Sequence, residues 1–163
     1  MKKIPLTRGK YAIVDDKDYE WLNQWKWHTS KERKQDAYYA VRSVNMGNGK
    51  IKTFSMHREI LGLERNDGVI TDHINRKGLD NRRCNLRKCT SGQNTRNQGI
   101  RCTNKSGYKG VYFKKDGGRF CAMIRVNYKS IYLGCFDTKK NAVIAYNDAA
   151  KKNFGQFANL NLL

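Results

Sequence analysis

Apolar residues in this 163-residue chain fall mostly in short alternating runs, with one long stretch of helical period near the end. Alternation marks half-buried strands, and spacing of three to four marks a helix. Residues 11–14 read as a strand. A short helix follows through Trp21 and Leu22 to Trp25, capped by Asp16 or Asp18. Trp21 and Trp25 lie four apart, share a helical face and are expected in the core. Residues 37–44 and 52–56 read as strands joined by a Gly-Asn-Gly turn at 46–50. Residues 57–61 begin a helix that Gly62 ends.

The stretch 62–100 is polar and rich in Asn and Arg. Residues 69–73 and 85–90 are short strands around a loop that starts at Asn75. Thr90 and Gln93 form a capping-box pattern, so a helix should run from Ser91 toward Asn97. So little apolar material cannot hold itself together, and neighbours or a bound ion must help. Residues 99–106 read as a linker. Beyond it, 109–114, 119–126 and 131–136 alternate as three strands. Thr138 caps a helix that runs to Asn153 and stops at Gly155. Ala142, Tyr146, Ala149 and Ala150 make that helix's apolar stripe. Phe120, Ala122, Ile124 and Val126 should lie under the stripe, and Arg119, Cys121, Met123 and Arg125 should face away.

The expected class is therefore α+β. It comprises a mixed unit at 1–61, a strand–loop–strand–helix unit at 62–98, the linker at 99–106, and a three-stranded antiparallel sheet with one helix at 107–163. With 39% hydrophobic residues the chain is too apolar for a wholly disordered tail. No apolar run is long enough for a membrane span or a signal sequence, so a cytoplasmic, non-secreted protein is expected. Five cysteines in no CxxC pair are expected as free or buried thiols, with no structural zinc.

Charge narrows the partner. The 33 basic and 14 acidic residues leave +19, and residues 101–163 alone hold 12 basic against 3 acidic. Such a surplus draws polyanions: nucleic acid first, membrane surface or acidic protein next. The sheet face carrying Arg119 and Arg125, near Tyr112, Lys114, Lys129 and Tyr132, suits a DNA major groove; a plain solvated face is the alternative.

The cluster Asp72, His73, Asn81, Asn85 and Asn94 carries chemistry. Phosphodiester cleavage needs a hard divalent cation on oxygen ligands and a base of near-neutral pKa. Asp72 and the Asn94 amide oxygen are suitable ligands, and His73 is a suitable base. Adjacent strand residues point to opposite faces, so Asp72 and His73 can share one phosphate only where the strand ends or bends.

The run Asp72-His73, then Asn85-Leu86-Arg87, then Thr90, Asn94 and Asn97 resembles HNH endonucleases, in particular phage intron-encoded homing endonucleases. His57-Arg58 and the opening run at residues 7–16 are also similar to that group. The resemblance implies His73 as general base, Asp72 and Asn94 as metal ligands, and Asn85 as the brace of the loop that positions His73. Asn94 stands where a second histidine would be, and an amide oxygen favours Mg²⁺ or Mn²⁺ over Zn²⁺. Residues 108–112, 119–125, 132–138, 142–150 and 159–160 resemble an AP2 DNA-binding domain. That resemblance implies groove contacts from Lys109, Tyr112, Lys114, Arg125 and Tyr132. The expected function is a metal-dependent, site-specific endonuclease acting on double-stranded DNA, with no membrane and no obligate protein partner. The alternative is a non-catalytic DNA-binding regulator with a structural HNH remnant; an RNA-binding protein is a further reading that the charge allows.

Overall fold

The computed structural model describes residues 1–32, 37–64, 67–100 and 103–163. Arg101 and Cys102 of the expected linker lie outside the described residues. The chain is α+β, built from small antiparallel sheets and few helices. It divides into two compact units, residues 1–94 and 95–163, and the boundary falls inside a helix. Among the described residues, no helix is long and apolar enough to cross a membrane.

In the first unit, β1 (Lys2–Pro5) pairs with β2 (Tyr11–Val14), and α1 (Asp16–Asn23) follows. A second sheet orders β3 (His28–Glu32), β4 (Ala37–Asn45) and β5 (Ile51–Ser55), and leads into α2 (Met56–Ile60). Then β6 (Ile70–His73) and β7 (Leu86–Cys89) form a two-stranded ribbon, and α3 (Ser91–Asn97) follows. The apolar core collects Ile4, Ala12, Val14, Leu22, Trp27, Ala40, Met56 and Ile60, and Leu86 of β7 joins it. The polar ribbon is thus held by its neighbours, one of the two supports its composition called for.

Several local expectations change. Trp25 is 43% exposed and lies beyond the helix, while Trp27 is the buried indole, its Nε1 donating to the Leu22 carbonyl at 2.8 Å. Neither Asp16 nor Asp18 caps α1; Asp15 occupies that position without a side-chain cap bond. Asp18 instead lies within the helix, buried against Arg83. The strands β1 and β3 were not expected. Gly62 does end α2, at φ 62°.

In the second unit, β8 (Val111–Lys114), β9 (Arg119–Val126) and β10 (Lys129–Phe136) form an antiparallel sheet in the order β10-β9-β8, and α4 (Lys139–Phe154) covers it. Thr138 Oγ1 accepts from the Asn141 N–H at 3.2 Å as the helix cap. Ala142, Val143, Tyr146 and Ala150 pack on Val111, Ala122 and Ile124. Gly110 has no room for a side chain, since a Cβ there would stand 2.2 Å from the Tyr146 ring. Cys121 and Cys135 oppose each other across β9 and β10 and form a disulfide, which corrects the expectation of five thiols. Strand register made them neighbours, and their separation along the chain hides it. Cys84 and Cys89 are free.

Candidate nuclease site and basic face

Of the cluster, Asp72 and His73 lie on β6, Asn81 and Asn85 in the connection from β6 to β7, and Asn94 on α3. Asp72 pairs with Arg87, and His73 with Leu86, so the two neighbours occupy opposite faces of β6. The strand ends at His73, where the Arg76 N–H donates to the His73 carbonyl and Arg76 takes φ 62°.

His73 is only 6% exposed, and its Nε2 lies 3.2 Å from Asn81 Oδ1. Burial pushes the His73 pKa below the usual imidazole value; the hydrogen bond to Asn81 and the carboxylates of Asp72 and Asp80 pull the other way. Asn81 is fully buried, and its backbone N–H donates to the Ile13 carbonyl at 2.8 Å. It is thereby tied to β2, and with it the ring it touches.

The loop between the strands is a polar network. Asn85 Oδ1 accepts from the Asn75 N–H at 2.9 Å, and its Nδ2 donates to the Asp80 carbonyl at 2.7 Å. One side chain therefore pins both arms of the loop. Arg82 grips Asp80 through two 2.7 Å bonds, and Asn75 Nδ2 adds a third at 2.8 Å. Arg82 holds the Asp80 pKa below the carboxylate norm. Arg83 reaches back to α1, placing two 2.8 Å bonds on Asp18, and its backbone N–H donates to Asp15 Oδ2 at 2.8 Å.

Asp72 is 5% exposed and carries Arg87 as counter-ion, whose Nε and Nη2 donate to Oδ2 at 2.8 and 2.6 Å. Asn94 lies in the first turn of α3, half-buried. The capping box forms there as the spacing foretold: the Thr90 N–H donates to Gln93 Oε1 at 2.8 Å and the Gln93 N–H to Thr90 Oγ1 at 3.3 Å. Burial and the Asp72 charge raise the Cys89 thiol pKa, against the lowering by Arg87 and by the Asn94 backbone N–H. One carboxylate and one amide are hard oxygen donors, which fits Mg²⁺ or Mn²⁺ with water and substrate oxygens as the remaining ligands.

Sequence reasoning gave no role in the site to Arg87, Tyr39 or His57. Arg87 stands within the Asn-Leu-Arg run, where the signal was present. Tyr39 on β4 and His57 on α2 reach His73 only through the fold; the ring centroids of His57 and His73 are 5.1 Å apart. Burial, then the neighbouring His73 and Arg58, drive the His57 pKa down to about 3.

On the second unit, Tyr112, Lys114, Arg119, Arg125 and Tyr132 are exposed. Register puts Lys114 opposite Arg119 and Tyr132 opposite Met123, so with Arg125 they share the face away from α4. Lys129 is exposed but pairs with Val126, which assigns it to the other face at the hairpin end. Lys109 is committed elsewhere: its Nζ donates to the Arg96 and Gln98 carbonyls, both at 2.8 Å. Asn161 accepts from the Lys109 N–H at 2.7 Å, fastening the chain's last residues to the same place. Tyr128, at the hairpin tip and 92% exposed, was not anticipated.

No family model matches the chain. It is 27% identical, over 151 residues covering 93% of this chain and 74% of the relative, to a protein of Acanthamoeba polyphaga mimivirus named as an uncharacterized HNH endonuclease.

Proposed function

We propose that this chain is a metal-dependent, homing-type DNA endonuclease whose first unit cuts and whose second unit holds the duplex. The observation that carries the reading is His73: a buried imidazole at a strand end, gripped by Asn81 and next along the chain to Asp72. In this reading Nε2–H donates to the Asn81 oxygen and Nδ1 is the nitrogen that serves as base. Nδ1 takes a proton from water as its oxygen attacks phosphorus, and the bond from phosphorus to the leaving oxygen breaks. Asp72 and Asn94 would hold the Mg²⁺ or Mn²⁺, with Arg87 sharing or yielding the Asp72 carboxylate. When bound, the ion neutralises charge on the phosphate and the leaving oxygen. Asn85 keeps the loop closed around the imidazole.

Tyr112, Lys114, Arg119, Arg125 and Tyr132 form the AP2-like face that meets the duplex, with basic groups on phosphates fixing register. A second reading, a DNA-binding regulator with an inert HNH remnant, draws on the ion pair between Asp72 and Arg87. A plasmid-nicking assay with Mg²⁺ or Mn²⁺ separates them. Nicking that EDTA and His73→Ala both abolish supports the nuclease; duplex binding without nicking in either metal supports the regulator.

A further inference from the structure

Three rings close on one another at the nuclease ribbon. Tyr39 stands 5.8 Å from both His57 and His73, and His57 meets His73 edge to face at 5.1 Å. The support is rigid. Met56 and Ile60, which flank His57 on the short helix α2, are both in the core. Tyr39 in turn lies against the loop, because a Cβ on Gly78 would come within 2.6 Å of its ring.

Beside these rings lie the buried side-chain polar atoms that lack a protein partner among the described residues: His57 Nδ1, Thr71 Oγ1 and Asn81 Nδ2. Each belongs to a neighbour of His73. Asn81 hydrogen-bonds it, His57 meets it edge to face, and Thr71 shares its face two residues back along β6. Buried polar groups are satisfied by protein, water or ligand, and leaving one without any is costly. A water needs two to four such partners to be held in place.

We infer that His57 is a positioning residue of the nuclease centre: its ring fixes the plane of the His73 imidazole, and its Nδ1 helps hold a water against it. The inference rests on the nuclease reading. It separates chemistry from binding, since His57 orders the base and the water but touches no phosphate. It also separates function from stability. Replacing an unpartnered buried nitrogen by carbon removes a burden on the fold, so a merely structural His57 would gain stability and lose nothing else.

The test uses the full chain in single-turnover cleavage, duplex binding and thermal unfolding. His57→Phe should cleave at least tenfold more slowly, with Kd within twofold of the parent and a Tm equal or higher. His57→Asn, which keeps a polar atom near the Nδ1 position, should recover part of the rate. In the His73→Ala background His57→Phe should change the rate less than twofold, because His57 acts through His73. Should the larger ring disturb folding, His57→Leu carries the same reading. A parent-like rate in His57→Phe or His57→Leu overturns the inference, as does a parallel loss of rate and affinity, or a full additional loss in the double variant. A parent that binds DNA but never cleaves it overturns the nuclease reading instead, so the two failures are distinct.

Discussion

The loop of residues 74–85 and the sheet of the second unit are held by opposite means. The sheet closes by apolar burial, a stripe of Ala142, Val143, Tyr146 and Ala150 lying on Ala122 and Ile124. The loop has almost no apolar side chains of its own and closes by hydrogen bonds and ion pairs: Asn85 across its arms, Arg82 on Asp80, and Arg83 on Asp18. Apolar packing tolerates little change in shape but is indifferent to pH and salt. A polar network orients specific atoms, at the risk that losing one partner strands the other. The loop holds His73, the proposed base, where orientation matters; the sheet presents a surface, where a stable platform suffices.

That contrast predicts a graded series. Ile124→Ala should cost the second unit about 3 kcal/mol through lost burial and a residual cavity, read as a lower denaturation midpoint. Arg83→Ala strands the buried Asp18 carboxylate and should destabilise the first unit by about 2 kcal/mol, less than for a fully buried pair because the Arg83 side chain is 41% exposed. If Arg83→Ala proves harmless while Ile124→Ala does not, the network is not what holds the loop.

Acid should separate the units next. His57, with a pKa of about 3 in the folded chain, takes up a proton near pH 6.5 when unfolded. Between those values the unfolded state binds more protons, so stability falls as pH drops from 6.5 toward 3. The His73 pKa is lowered as well and adds in the same direction. Urea midpoints measured from pH 7 to 4 should therefore decline, and His57→Phe should flatten part of that decline. A slope unchanged by His57→Phe would remove His57 from the buried set. The smallest stability effect belongs to the sheet's surface. Arg119→Ala breaks an exposed ion pair with Asp137 and should cost under about 1 kcal/mol. If Arg119 meets a phosphate, the same change lowers the salt dependence of DNA binding by roughly 0.9 in the log–log slope.

Legibility in the sequence follows the same division. Alternation in β9 separated Ala122 and Ile124 from the exposed Arg119, Met123 and Arg125, though Cys121, expected with the latter, is buried; the capping residues Thr90 and Thr138 marked their helix starts, because these signals are local. Strand β3, with the sequence His-Thr-Ser-Lys-Glu, has no apolar alternation to read; pairing with β4 makes it a strand. Tyr39, His57 and His73 come from separate elements, and nothing in their spacing along the chain announces that they meet. Lys109 shows the reverse. Its place in the AP2-like run suggests a groove contact, yet its ammonium caps the carbonyls at the end of α3. The composition of the cluster was legible; the second ring beside the base, the Arg87 counter-ion and the grip of Asn81 required three dimensions.

The central claim is that His73 is the base of a phosphodiester hydrolysis. Single-turnover cleavage of duplex DNA by His73→Ala, at saturating enzyme with Mg²⁺ or Mn²⁺ and beside a binding titration, tests it most directly. The account predicts a rate lowered by roughly 10²–10⁴, about 3–5 kcal/mol of barrier, with duplex affinity nearly unchanged. Cleavage by His73→Ala within a few-fold of the parent would contradict it.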